Sequence, residues 1–215
     1  FNAEELLVSE ANSEIVARIE SWPNWGQGLL SRVLLVTGPK ASGKTVHGLY
    51  WRHISQAQLV QGKDLATYLS SQPISHWPLE DNHIFLDDVD LLLEWPELLF
   101  SLLNRYYYAG NNYLLLTSTF PQSILANKLG LPDLSTRIKS LPSLAIQEID
   151  DQMFDMLLPK LLADLQLHLQ PEVINFIKLR VGRSYSDLHN LVDRLDAYSK
   201  HHKVKLTIPV VRGLL

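Results

Sequence analysis

Residues 32–45, RVLLVTGPKASGKT, constrain the fold more than any other stretch of the chain. Val33 to Val36 form a short apolar run that ends in Thr37-Gly38, the form of a strand buried on both faces of a parallel sheet. Gly38, Gly43, Lys44 and Thr45 then satisfy G-x-x-x-x-G-K-[ST]. In that pattern the glycines permit a tight turn whose backbone N–H groups surround phosphate oxygens. The N-terminus of the following helix adds its dipole, the lysine reaches the terminal phosphates, and the hydroxyl is placed to ligate Mg²⁺. The pattern needs a buried strand before it and a helix after it, and "SGKTVHGLYWRHI" supplies the helix. The expected phosphate cradle is Gly38, Pro39, Lys40, Ala41, Ser42, Gly43, Lys44 and Thr45, with Val46 behind it.

Strand and helix signals alternate from here to about residue 147. Asn12–Trp22 reads as a helix with Ile15, Ile19 and Trp22 on one face. "AQLV" reads as a short strand, "KDLATYLS" as a short helix, "HIFLDD" as a second buried strand and 96–108 as a helix. "NYLLLTS" is a third buried strand, "PQSILANKL" a short helix with Pro in its first turn, and "SLAIQEI" a last strand. From Asp150 the pattern becomes helical throughout. Met153, Leu157, Leu161 and Leu165 recur every four residues, flanked by Phe154, Leu158 and Leu162. Pro171 starts another helix with Val173, Ile174 and Ile177 inward, and a third runs from about Ser186 to Ser199 along Leu188, Leu191 and Leu195. Thr207 is a candidate N-cap and Pro209 falls in the first turn of a final helix. The expected domains are therefore an α/β part, 1–147, and a helical part, 148–215.

At 215 residues the chain is long enough to bury a full hydrophobic core. Its lack of cysteine excludes disulfides and thiolate chemistry and is compatible with a cytoplasmic location. No apolar run approaches the ~18–20 residues that span a bilayer, and Phe1 reads as the start of a trimmed or ordered fragment. The net charge of −4 argues against a protein that binds duplex DNA with a whole face.

"HIFLDDVD" supplies the usual partner of a phosphate loop. Asp87, at the end of an apolar strand, is expected to hold Mg²⁺ with Thr45. Asp88 is expected to orient an attacking water as the catalytic carboxylate, and Asp90 reads as solvated. Thr117, Ser118 and Thr119 end the third strand, where ligands sit in open α/β sheets. They either sense a γ-phosphate or satisfy strand-end backbone. Arg137, after a short helical segment, reads alone as a solvating surface residue. The eight histidines are scattered without a metal-ligand spacing. "SKHHKVK" is the best local anion patch, read as a basic turn, and the tyrosines at 106–108 and the five tryptophans read as packing residues.

The order strand–phosphate loop, strand–Asp-Asp, strand–Thr-Ser, Arg after a short helix, then a helical lid resembles an AAA+ module. "NKLGLPDLSTRI", "LQPEVINFIKLRV" and "LVDRLDAYS…KLTIPVVRGLL" resemble the DnaA family, and most of all its short, Hda-type branch. "LLVSEANSEIVARIESWPNW" is similar to the α-proteobacterial form of that branch. The resemblance spans nearly the whole chain. It implies a P-loop NTPase core with a parallel sheet and a C-terminal α-helical lid, holding ADP or ATP with Mg²⁺. It places Leu7 and Val8 near the base and Arg137 where the family keeps an arginine finger acting in trans. DnaA carries a C-terminal DNA-reading domain, and this chain stops after the lid, at Leu215. Hda-type proteins act with the sliding clamp through a short motif that is expected upstream of residue 1. "LQLHLQP" mimics that motif but reads as structural.

Two departures stand out. The family's lid sensor Arg is replaced in Ser186-Asp187-Leu188, with Arg183 as its possible substitute, and Thr119 stands where the family usually has Asp. Both changes remove groups near the γ-phosphate. The resemblance therefore implies a negative regulator of replication initiation that promotes hydrolysis of ATP bound to the DnaA initiator, itself at most a weak ATPase. It allows a homo-oligomer and little direct duplex binding. The alternatives are an AAA+ ATPase that loads or moves on DNA, resting on the intact loop and Asp87-Asp88, and, last, a DNA-binding scaffold.

Overall fold

The three central strands of the first unit carry mostly apolar side chains, because both of their faces are covered. In a computed structural model, which describes residues 6–26, 29–71, 82–108, 112–202 and 205–215 and all side chains among them except those of 29–30 and 107–108, the chain divides into two units. One unit comprises residues 1–6, 12–39 and 43–146, the other 7–11, 40–42 and 147–215. His76, Trp77, Lys203 and the side chains of Tyr107 and Tyr108 lie outside the described residues.

In the first unit the order is α1 (Ser13–Glu20), β1 (Val33–Thr37), α2 (Lys44–Ser55), β2 (Gln58–Gln61), α3 (Gly62–Leu69), β3 (Ile84–Asp87), α4 (Pro96–Tyr108), β4 (Leu114–Ser118), α5 (Gln122–Lys128), α6 (Pro132–Ser140) and β5 (Ser143–Ala145). The strands form one parallel sheet in the order β2-β3-β4-β1-β5. Side chains alternate across the pleat. Val33, Leu35, Ile84, Leu86, Leu114 and Leu116 join the core that contains α4, α5 and α6 residues. Phe85 points the other way, onto α2, where Gly48 leaves room for it: a Cβ on Gly48 would lie 2.0 Å from the Phe85 ring. Pairing of Thr37 with Ser118, and of β3 with β4, brings the carboxyl ends of β1, β4 and β3 to one edge.

In the second unit α7 (Asp151–Asp164), α8 (Pro171–Lys178), α9 (Tyr185–His202) and α10 (Ile208–Leu214) form the helical part. Asp150 caps α7, accepting the Met153 N–H at 2.6 Å. No helix among the described residues is long and apolar enough to cross a membrane.

Several local expectations need correction. The buried row of α7 is Phe154, Leu158 and Leu162 with Met153, while Leu157, Leu161 and Leu165 are only half-buried. Two adjacent i, i+4 rows are both apolar there, so periodicity alone leaves their order open. On α8 Phe176, not Ile174, is buried beside Val173 and Ile177. The last strand stops at Ala145, and Pro121 sits at the N-cap position of α5, before its first turn. His201 and His202 end α9 as helix, not turn, with Tyr198 stacked on His202. Arg137 lies inside a second helix, α6, which begins at Pro132.

Candidate nucleotide site

The loop after β1 has the backbone of an anion cradle. Ala41 and Gly43 adopt left-handed conformations (φ 66° and 87°) on either side of Ser42, an alternation that points successive N–H groups toward one side. Only glycine takes such a φ without cost, which explains Gly43, whereas Ala41 bears it as strain. Gly43 is fixed from below. His47, one turn on, donates through Nδ1 to the Gly43 carbonyl (2.8 Å), and its Nε2 accepts from Asn12 Nδ2 (3.0 Å). Burial holds the His47 pKa below its ordinary value, the Gly43 carbonyl opposing the shift, so the ring is a neutral strut. Ser42 is buried and its Oγ has no hydrogen-bond partner, an orphan that a phosphate oxygen would satisfy. The residues present thus fit a bound phosphate chain.

Lys44 opens α2 and folds back over the loop, donating to the carbonyls of Gly38 (3.0 Å) and Pro39 (2.9 Å). Burial lowers its pKa, and Asp88, Asp90 and Asp87, in that order, oppose the shift. Val46, exposed at 37%, follows in the same turn.

Thr45 and Asp87 meet across the sheet edge, the Thr45 hydroxyl donating to Asp87 Oδ2 at 2.8 Å. Asp87 Oδ1 accepts from Thr117 Oγ1 at 2.6 Å, and Thr117 Oγ1 in turn accepts the Asp88 N–H at 2.9 Å. Both Asp87 and Thr117 are buried. A hydroxyl and a carboxylate at one point are hard oxygen donors of the kind Mg²⁺ takes, so the pair fits that ion. Asp88 sits at φ 56° after the strand ends, turned away from the run of β3. Its pKa is raised by burial and by Asp87 and Asp90, against the pull of Lys44, which makes it a better proton acceptor than a free carboxylate.

Sequence reasoning took Asp90 for a solvated residue, and the structure corrects this. Its carboxylate accepts from the Ser118 hydroxyl, from the Thr119 hydroxyl, and from the Thr119 N–H at 2.6 Å. Asp90 lies in the 3-10 turn Val89–Leu92 that follows β3, against the end of β4. Thr119 is therefore committed to Asp90, and Ser118 and Thr117 satisfy carboxylates rather than only strand-end backbone. Gly62, at the start of α3, was also missed. A Cβ there would lie 2.3 Å from the Asp88 carbonyl, so Gly62 lets α3 abut the acidic turn. Its only signal in the sequence was a glycine standing between the expected strand "AQLV" and the expected helix "KDLATYLS".

The remaining expected residues have the following surroundings within their own units. Arg137 is half-buried on α6 with its guanidinium 4.8 Å from the Phe100 ring centroid. In the second unit, Leu7 is half-buried and Val8 is 40% exposed. Arg183 pairs with Asp151 at 2.8 Å and lies over the Phe154 ring. Ser186, in place of the family's sensor Arg, donates to the Lys40 carbonyl at 3.1 Å. Among the described residues no group of three or more His, Asp or Glu is arranged to hold a metal by itself.

Residues 155–215 match the family described as "Hda, lid domain". An uncharacterized protein of Haemophilus influenzae is 30% identical over 190 residues, covering 84% of this chain and 80% of that protein. The fold is similar to that of domain III of the replication initiation protein DnaA from Thermotoga maritima, with TM-score 0.77 at 17% identity over 100% of this chain and 95% of that one. It is also similar to AMPPCP-bound DnaA from Aquifex aeolicus, with TM-score 0.66 at 18% identity over 94% of this chain and 69% of that one. An α/β P-loop core, a C-terminal part that matches the Hda lid and these likenesses converge: residues 155–215 belong to the Hda lid family, in a chain with the fold of the DnaA-like AAA+ proteins.

Proposed function

We propose that this protein is a nucleotide-dependent regulator of replication initiation that stimulates hydrolysis of ATP held by a DnaA-type initiator, in concert with the sliding clamp. The observation that supports the reading is the grouping of Lys44, Thr45, Asp87 and Asp88 by the loop after β1, side chains whose chemistry fits a phosphate chain and a cation, in a chain whose residues 155–215 match the Hda lid. The likeness to an AMPPCP-bound DnaA supports an adenine nucleotide, ADP or ATP, as the ligand.

In this reading the loop N–H groups and the Ser42 hydroxyl take phosphate oxygens, and Lys44 exchanges the Gly38 and Pro39 carbonyls for them. Thr45 and Asp87 would hold Mg²⁺, which when bound would supply the positive charge that offsets the phosphates. Asp88, with its proton affinity raised, positions a water but does so slowly, because Thr119 is held by Asp90 and contributes nothing to a γ-phosphate. Arg137 acts on the partner's nucleotide rather than its own. An arginine finger offsets charge that develops on a transferring phosphoryl group, and Arg137 leaves its stacked position on Phe100 to do so. The protein works as the activating side of a pair.

The reading is tested by mixing the full-length protein with DnaA·ATP and DNA-loaded clamp and following release of phosphate. Acceleration is expected, together with ADP retained by the protein through purification. An unaccelerated rate removes the regulatory role. Intrinsic turnover near or above the ~1 per second of ordinary enzymes would favour a motor or loader instead.

A further inference from the structure

The end of β4 and the turn after β3 are joined by one carboxylate. Asp90 takes the Ser118 hydroxyl with one oxygen and both the hydroxyl and the N–H of Thr119 with the other. Ser118 is buried, so that bond is sheltered from water. The carboxylate also acts electrostatically on Lys44, the side chain whose reach defines the terminal-phosphate end of the loop. A third fixed acid thus stands beside Asp87 and Asp88. Nothing in the Mg²⁺ pair or the water-positioning role uses it.

We infer that Asp90 sets the number of phosphates the site accepts: its carboxylate occupies the Thr119 hydroxyl and N–H and presents a fixed negative charge toward the terminal-phosphate end, so a nucleoside diphosphate binds in preference to a triphosphate. The inference rests on nucleotide binding at Gly38–Thr45. Two effects point the same way. The donors at the strand end that a third phosphate would need are already taken. The like charge makes that phosphate unwelcome, a repulsive element of the kind that gives specificity by discriminating against the wrong ligand. The second phosphate remains with Lys44 and the loop N–H groups and is left alone. Asp90 is a specificity-determining residue in this account and takes no part in chemistry.

The test is calorimetric titration of the protein with Mg²⁺-ADP and with Mg²⁺-AMPPCP, which needs no hydrolysis. Wild type is expected to bind ADP more tightly. Asp90→Asn keeps the shape and an oxygen acceptor but removes the charge. It is expected to narrow the preference about tenfold, mostly by tighter AMPPCP binding, with ADP affinity nearly unchanged. Thr119→Ala removes the hydroxyl and keeps the charge, and it is expected to retain most of the preference. An unchanged ADP-to-AMPPCP ratio in Asp90→Asn, or an equal loss of preference in Thr119→Ala, overturns the inference while leaving nucleotide binding intact. Failure of wild type to bind either nucleotide removes the phosphate-loop reading itself, and the inference with it.

Discussion

Thr117 is the residue on which the geometry of the acidic edge depends, and Thr117→Val isolates that dependence. Valine has nearly the same volume, so at this fully buried position in β4 the substitution opens no cavity and suits the strand. It removes one hydroxyl. Asp87 Oδ1 loses the donor 2.6 Å away, and the Asp88 N–H loses its acceptor at 2.9 Å. A hydrogen bond to a charged group contributes about 1.5–3 kcal/mol, and a buried N–H left without a partner costs about 1–3 kcal/mol. Part of this is recovered by relaxation of Asp88, which stands at the surface end of the strand, so the expected loss is about 2–4 kcal/mol. In a chain of 215 residues each kcal/mol shifts Tm by about 2–4 °C, which predicts a fall of about 5–15 °C. Thermal unfolding by circular dichroism, with urea unfolding as a check, measures it. Thr117→Val with stability within about 0.5 kcal/mol of wild type would refute the assignment of Thr117 as the strut between Asp87 and Asp88.

The remaining predictions concern other points of the same framework. Gly48→Ala forces a methyl onto the Phe85 ring, 2.0 Å from its nearest atom, and is expected to cost about 1–3 kcal/mol or more, read from urea unfolding. Gly62→Ala drives a methyl against the Asp88 carbonyl. It is expected to lower stimulated hydrolysis more than it lowers Tm, while an unaffected rate would show that the acidic turn tolerates displacement. Burial keeps the folded His47 pKa below the ordinary value of 6.5. The unfolded chain therefore binds the extra proton first: His47's contribution is full above that value, declines as pH falls below it, and is lost through the lower folded value. The urea midpoint is expected to fall on acidification through that window, less so in His47→Gln; an increase would contradict the buried, neutral assignment. Asp150 is pushed up by desolvation but held below its ordinary 3.8 by hydrogen bonds from Met153, Ser9, Ala11 and Gln152. Its cap is present above that value and is lost as pH falls through the lower folded one. Asp150→Ala is expected to cost about 1 kcal/mol at pH 7, measured by thermal unfolding.

The centre of the sheet was legible because its three inner strands are buried on both faces. A parallel strand under two helical layers reads as a continuous apolar run, and β1, β3 and β4 each do so. The phosphate loop was legible because its chemistry demands fixed residues at fixed spacing. Asp90 was not, because nothing local distinguishes a carboxylate facing water from one facing two hydroxyls on a neighbouring strand. Its partners lie 28 and 29 residues away and are brought to it by the pairing of β3 with β4. The orientation of α7 escaped for a similar reason: with apolar residues in two adjacent rows, its neighbours decide which row is buried. Arg137 is singled out only through resemblance, since its spacing alone reads as a solvating residue, and its contact with Phe100 links α6 to α4 in a way no spacing encodes.

The central claim is that the protein holds a nucleotide in order to offer Arg137 to another subunit's ATP. Its most direct test is the single-turnover hydrolysis rate of DnaA-bound ATP, on loaded clamp, with wild type, Arg137→Ala and Lys44→Ala. The account predicts acceleration by wild type. Arg137→Ala is expected to remove it by about 10³-fold or more while still binding ADP, and Lys44→Ala to remove it together with nucleotide binding. Full acceleration by Arg137→Ala would contradict the account.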